Sequence, residues 1–309
     1  MILNIVLITA AVLVIWFFSS LLFFYLACSQ YRVPDKSTAC GGHDVPERAV
    51  KALREAQIWL DQQNPEQIYI KSHDGLSLYG ELIEQPSAKG NVIFFHGYHS
   101  SCRRDIVIQC KEAFAAGYNV LLATHRGHGK SEGRYITFGA KEKLDVRAWS
   151  EYITKRFEHL SIALMGLSMG GSSVMFASAL DLPPSVKCIV NDCGFSKPSS
   201  ISAHTLFFKR FILPYPSVSF MDIWARLLAK FSFYSDSSYR SLKKNTRPLL
   251  IIHGERDRFV PTNMSRRNAL IKPELTELLT VSNARHAQAV YFNTDGYIKN
   301  FIGFLDKNM

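Results

Sequence analysis

The sequence predicts an α/β fold: a mostly parallel central sheet with helices on both faces, a helical cap inserted late in the chain and an apolar helix at the N-terminus. Three observations predict it. Short, nearly uninterrupted apolar runs recur, as at residues 91–95, 118–123 and 248–252, and such runs suit strands covered on both faces. Segments with helical periodicity fall between them, so strand and helix alternate. Residues 197–247 break that alternation and are too long for a plain loop of a compact domain.

Residues 2–28 carry no charged side chain. As a helix they would reach about 40 Å, enough to cross a hydrocarbon core of roughly 30 Å with tilt. The run is longer than the apolar region of a usual signal peptide, so residues 1–28 read as an uncleaved transmembrane anchor. Arg32, Lys36 and Arg48 flank its C-terminal end, which by the positive-inside rule puts the remaining domain on the cytoplasmic side of a single-pass cell-membrane protein. Residues 29–66 read as a polar linker (29–44) followed by an amphipathic helix (45–62), with Ala49, Leu53, Ala56 and Leu60 at helical spacing.

From residue 67 onward the elements build one domain. Strands at 67–71 and 76–84 are joined through His73-Asp74-Gly75, a hairpin signal. Strand 91–95 runs into His96-Gly97-Tyr98, and a helix follows at 106–116. Strand 118–123 leads into Arg126-Gly-His-Gly129, then a helix at 140–157. Strands at 186–190, 248–252 and 276–281 come next, and a helix over 290–305 closes the chain. The insertion at 197–247 carries plausible helices at 199–211 and 219–231, separated by Pro214 and Pro216. It reads as a cap over the C-terminal ends of the strands.

The chemistry points to Gly166-Leu-Ser-Met-Gly170, preceded by the apolar strand 162–165 and followed by a helix over 171–180. A serine hydroxyl is a poor nucleophile at neutral pH and must be lifted clear of the backbone to meet a base. A sharp strand-to-helix turn does this, and glycine two residues to either side avoids collision with neighbouring backbone. The following helix points its N-terminal N–H groups at a developing oxyanion. Ser168 then needs a base and the base an orienting carboxylate. Asp257 follows strand 248–252 and His286 follows strand 276–281, giving the chain order Ser, Asp, His that this turn expects. Asp192, also at a strand end, is the alternative acid. The N–H groups of Tyr98 and Met169 are the candidate oxyanion donors, and His96, Gly97 and Leu167 are expected on the substrate side. His96 reads more as a brace for its loop than as a chemical group, and His125, Arg126 and His128 also read as structural.

These motifs, in order Phe95-His-Gly97, Arg126-Gly-His-Gly-Lys-Ser131, Gly166-Leu-Ser-Met-Gly170, His253-Gly-Glu-Arg-Asp257 with Val260-Pro261, and Ala284-Arg-His286, resemble those of the α/β-hydrolase superfamily of serine hydrolases. Asn191-Asp-Cys-Gly-Phe195 and Ala284-Arg-His-Ala287 make the bacterial members with a single N-terminal anchor the most similar. The resemblance covers residue 67 to the end. It implies the α/β-hydrolase fold, a triad of Ser168, Asp257 and His286, oxyanion donors at Tyr98 and Met169, and neither metal nor organic cofactor. Thr124 departs from the pattern, because many relatives carry an aspartate two positions before the Arg of this loop.

The expected activity is hydrolysis of an acyl ester or thioester through an acyl-enzyme, of the carboxylesterase or lipase kind. The alternatives are an acyltransferase or peptidase using the same triad, or a non-catalytic module tethered at the membrane. The insertion carries nine basic residues against Asp222 and Asp236, most of the chain's +10 net charge, together with six phenylalanines and Trp224. A basic, aromatic cap on an anchored protein suggests an anionic membrane surface or a lipid-like acyl substrate. Charge without a binding motif does not suggest nucleic acid. The six cysteines, Cys28, Cys40, Cys102, Cys110, Cys188 and Cys193, form no C-x-x-C and no zinc spacing, so they read as buried reduced thiols.

Overall fold

A computed structural model describes residues 1–31 and 45–309. The expected linker 29–44, Arg32, Lys36 and Cys40 therefore lie largely outside the described residues. The chain begins with α1 (Ile2–Cys28) and α2 (Glu47–Gln62). An eight-stranded sheet follows, made of β1 (Glu66–Lys71), β2 (Ser77–Ile83), β3 (Gly90–Phe95), β4 (Tyr118–Ala123), β5 (Ile162–Leu167), β6 (Val186–Asp192), β7 (Leu249–Gly254) and β8 (Thr276–Val281). Its order is β1-β2-β4-β3-β5-β6-β7-β8, and only the β1–β2 and β2–β4 pairs are antiparallel. The central strands β3, β4 and β5 are buried at every residue, which is why they read as unbroken apolar runs.

The helices after β3 are α3 (Cys102–Asp105) and α4 (Val107–Ala115), and α5 (Glu142–Arg156) follows β4. Next come α6 (Met169–Ala177), then α7 (Pro198–Arg210), α8 (Pro214–Trp224) with a π-helical extension at Ala225–Ala229, and α9 (Ser238–Lys244). The last three are α10 (Asn263–Ala269), α11 (Ala289–Phe292) and α12 (Thr294–Asn308). One sheet face packs on α2, α4, α11 and α12 through residues such as Leu53, Phe94, Tyr297 and Phe301. The other packs on α5 and α6 through Phe95, Leu121, Trp149 and Val174. The apolar stripe of α2 (Ala49, Leu53, Ala56, Leu60) is buried in the first of these layers, so α2 packs with the body that holds the sheet. The single C-terminal helix expected over 290–305 is two, because Asn293 interrupts it and accepts the Gly296 N–H as the N-cap of α12. Pro214 and Pro216 lie between the cap helices as expected: α7 ends at Arg210, and the backbone at Tyr215 within the first turn of α8 is extended rather than helical.

The turn from β5 to α6 is built from backbone against backbone. Ser168 sits at φ 55°, ψ −112°. A Cβ at Gly166 would lie 2.2 Å from the Gly170 carbonyl carbon, and one at Gly170 would lie 2.1 Å from the Phe95 carbonyl oxygen. No side chain fits at either position without moving a strand.

Two loops at the C-terminal ends of β3 and β4 hold each other through imidazoles. His96 Nε2 accepts the His125 N–H (3.1 Å) while its Nδ1 faces the Gly97 carbonyl (2.7 Å). His128 Nε2 accepts the His99 N–H (3.2 Å) while its Nδ1 faces the Arg126 carbonyl (3.0 Å). Each ring must be neutral with its proton on Nδ1 to make both bonds. Burial, reinforced by the neighbouring histidines, holds His96 well below its ordinary pKa and pushes His125 down to about 3; burial pushes His128 down to about 4. Arg126 anchors the second loop with bonds to both carboxylate oxygens of Asp145 (2.6 and 2.5 Å) and to Asp74 (2.9 and 3.1 Å). These pairs supply the bracing that an aspartate at position 124 would otherwise be expected to give.

Two outcomes follow. Gly170→Ala is expected to destabilise the protein by about 3 kcal/mol or more in urea unfolding, because the displaced atom belongs to a central strand. Histidines held neutral in the fold leave the unfolded chain free to bind protons below its ordinary pKa of about 6.5. Stability is then full above that value and is lost as pH falls toward about 4, by roughly 1.4 kcal/mol per pH unit for each such histidine. Unfolding midpoints measured from pH 7.5 to 5 should fall accordingly, and a flat profile would contradict the neutral clasp.

Candidate active site

The turn after β5, the loop after β7 and the loop after β8 bring three side chains into line. Ser168 Oγ lies 2.9 Å from His286 Nε2, and His286 Nδ1 lies 2.6 Å from Asp257 Oδ2. Ser168 and Asp257 are buried, and the His286 side chain keeps 22 % exposure. Phe259 packs its ring edge-on to the imidazole at 4.8 Å.

Asp257 is saturated with donors. Its Oδ1 accepts the N–H groups of Phe259 and Val260, both at 2.8 Å. Its Oδ2 faces His286 and also His253 Nε2 at 3.1 Å. Burial by itself would raise its pKa, but His286 and the hydrogen bonds from both imidazoles outweigh it and hold the carboxyl well below the usual range. Asp192, the alternative acid, takes a different part. Its Oδ2 accepts the Tyr297 hydroxyl at 2.8 Å, no hydrogen bond joins it to His286 among the described residues, and burial pushes it up to about 6. The acid in line with His286 is Asp257.

Tyr98 and Ser168 line the same cavity, and Met169 directly follows Ser168. Met169 is the first residue of α6, so its N–H has no acceptor within the helix. The Tyr98 loop is fixed by Asp105, which accepts the Gly97 N–H (2.7 Å) and the Ser100 hydroxyl (2.5 Å). Asp105 carries no motif and was not legible in the sequence. The expectation that His96 and Leu167 face substrate is corrected. Both are buried, His96 spends its two ring nitrogens on loop backbone, and Leu167 lies in the sheet core. Gly97 acts through its backbone, close against Ser168 Cβ and Asp105.

A cavity of about 580 Å³ opens over Ser168. Phe138, Phe195, Phe259, Ile201, Leu206 and Met221 make most of its apolar wall, and Arg210 is the only charged side chain lining it among the described residues. Phe23, Leu26 and Ala27 of α1 complete it. That contribution was hidden in the sequence, since a uniformly apolar helix shows no preferred face. A cleft of similar size lies on the outer flank of the cap, between Tyr215, Tyr234 and Arg240, and does not include Ser168.

Metal binding has one geometric candidate among the described residues: donor atoms of Cys193, Asp257 and His286 lie within 4.8 Å of one another. Asp257 and His286 are already bonded to each other, and burial raises the Cys193 thiol pKa well above its ordinary value. A protonated thiol is a poor ligand, so the cluster is better suited to proton transfer.

Comparison with known proteins agrees with this geometry. Residues 86–232 match a family model described as serine aminopeptidase, S33. YqkD, an uncharacterized protein of Bacillus subtilis, is 23 % identical over 302 residues, covering 97 % of this chain and 94 % of its own. Among solved structures, the Pyrococcus furiosus esterase Pf2001 superposes with a TM-score of 0.66 at 21 % identity, covering 91 % of this chain and 98 % of that one. Est1E from Butyrivibrio proteoclasticus gives 0.61 at 19 %, covering 78 % and 98 %. The sheet order, the strand-to-helix turn at Ser168 and these likenesses together show that the chain has the α/β-hydrolase fold.

Proposed function

We propose that this protein is a membrane-anchored serine hydrolase that cleaves an acyl ester or thioester. The observation that carries the reading is the continuous contact from Ser168 through His286 to Asp257 at the floor of an apolar cavity. His286, with its proton on Nδ1 and directed at Asp257, takes the Ser168 proton on Nε2 as Oγ bonds to the acyl carbon. The carbonyl oxygen gains the negative charge and lies between the N–H groups of Tyr98 and Met169. Nε2 then returns the proton to the leaving alcohol or thiol, and the carbon–heteroatom bond breaks. Water repeats the sequence against the acyl-enzyme, with His286 as base, and releases the acid.

The cavity favours this reading over aminopeptidase action. An aminopeptidase must hold a substrate α-ammonium, and among the described residues no carboxylate lines the cavity. An apolar wall with Arg210 as its one charge suits an acyl chain beside a neutral or anionic group. Anchoring is supported by α1, the one described helix long and apolar enough to cross a membrane. A cytoplasmic position is supported by the five described cysteines, all free and buried, and by the basic cap.

Ser168→Ala is expected to abolish labelling by a fluorophosphonate probe that labels the wild type; equal labelling of both would sink the assignment. Asp257→Asn should lower kcat by roughly 10⁴-fold, as loss of an orienting carboxylate does. Asp192→Asn should cost far less, because the amide oxygen still accepts from Tyr297. Since Asp257 is held ionised, its titration should leave the kcat/KM profile untouched above about pH 4.

A further inference from the structure

The anchor and the active site are one construction. The last turns of α1 wall the cavity, and the Tyr98 hydroxyl donates to the Ala27 carbonyl at 2.7 Å. Beyond Cys28 the chain stays on the site: Ile136 N–H donates to the Cys28 carbonyl (2.7 Å) and Tyr31 stacks on His99. Further back, α1 lies along α8. Trp16 Nε1 donates to Ser217 Oγ (2.9 Å), Phe17 meets Phe220 and Trp224, and Trp224 Nε1 donates to Ser20 Oγ (3.1 Å). The order of these contacts makes α1 and α8 run in the same direction, so the loop joining α7 to α8 points toward the free, N-terminal part of α1.

Exposure marks where a bilayer would lie. Every residue from Met1 to Ile15 is exposed, whereas Trp16, Phe17 and Ser20 pack on α8. The α7–α8 loop stands beside the point where α1 leaves α8, at the near leaflet of a bilayer that the exposed stretch enters. The loop and the helix ends beside it are dressed for that position: Phe208, Phe211, Leu213 and Tyr215 are 62, 92, 61 and 59 % exposed. Arg210 and the Tyr215 hydroxyl stand where such side chains reach back to the headgroups.

The cavity runs into the same region. Along α7 its lining extends from Ile201, near Ser168, through Thr205 and Leu206 to Arg210, a distance of about 14 Å. Across from α7 it is closed by Phe23 and Leu26 of α1. We infer that the substrate is an ester lipid resident in the bilayer, whose acyl chain slides from the near leaflet into the groove between α1 and α7 and so delivers its carbonyl to Ser168. The transmembrane helix is then a wall of the acyl site as well as a tether. This rests on the hydrolase and anchor readings above.

The test uses the full-length protein reconstituted in phosphatidylglycerol–phosphatidylcholine vesicles containing a phospholipid with a fluorescent acyl chain. Turnover of a soluble short-chain p-nitrophenyl ester is followed in the same preparation. Lipid in the enzyme's own vesicles should be hydrolysed at least tenfold faster than the same lipid in separate, enzyme-free vesicles. Phe211→Glu with Leu213→Glu should reduce the hydrolysis of vesicle lipid at least tenfold relative to turnover of the soluble ester. Leu206→Trp should shift the preferred acyl length of an ester series to shorter chains. An enzyme that turns over the soluble ester yet leaves lipid in its own vesicles intact overturns the inference while the hydrolase reading stands, and so does an unshifted chain-length preference in Leu206→Trp. Inactivity toward both substrates, with the protein shown folded by circular dichroism, overturns both.

Discussion

The structure depends on a contact in which backbone meets backbone with no room for a side chain. At the end of β5 the chain must reverse into α6 within two residues, and the carbonyl of Phe95 on β3 fills the space beside Gly170. Close packing lets Ser168 stand at a positive φ with its hydroxyl raised toward His286. The strain of that conformation, on the order of 1–3 kcal/mol, is sustained because the surrounding sheet overdetermines the turn. The Ser168 N–H donates to the Asp192 carbonyl at 2.7 Å, tying the nucleophile to the neighbouring strand as well.

Around this turn, hydrogen-bond supply sorts chemically similar groups into different parts. Asp257 and Asp192 are both buried at strand ends on the same side of the sheet. Asp257 has four donors around it and stays ionised; Asp192 has Tyr297 and too little else to offset burial. The histidines divide in the same way. His286 is partly exposed and faces the Ser168 hydroxyl, whereas His96 and His128 give both ring nitrogens to loop backbone and hold the platform on which Tyr98 rests. A buried neutral imidazole with two backbone partners is a rigid strut, and one with a free edge beside a hydroxyl is a base.

The N-terminal segment is tied to that platform. α1 and the residues just beyond it meet the Tyr98 loop through Ala27, the Arg126–Tyr135 loop through Gln30 and Tyr31, and the cap through Trp16 and Phe17. On the proposed anchoring, contacts this numerous would fix the height of the cap over the bilayer, because a helix crossing the hydrocarbon cannot slide along its axis without exposing apolar surface at one end.

Much of the fold was legible because strong local periodicities dictate it. Residues 118–123 and 276–281 form strands with the bounds their apolar runs predict, and the order of the serine, aspartate and histidine motifs is the order in which strand ends reach the site. Glycines 166 and 170 could be read as well, since a turn that excludes a Cβ leaves its mark in residue type. What the sequence could not express was anything decided by a partner distant in the chain. Leu167 and His96 sit within motifs yet face the core and the loop backbone, because side-chain direction depends on what packs opposite. Asp105 belongs to no pattern, and its importance comes from standing 2.7 Å from the Gly97 N–H. In α1 apolar residues dominate every side of the helix, whether they are exposed, face Trp224 or line the cavity. Hydrophobicity alone therefore determined that a helix would form and could cross a membrane, and only tertiary packing decided that one end of it would become a wall of the site.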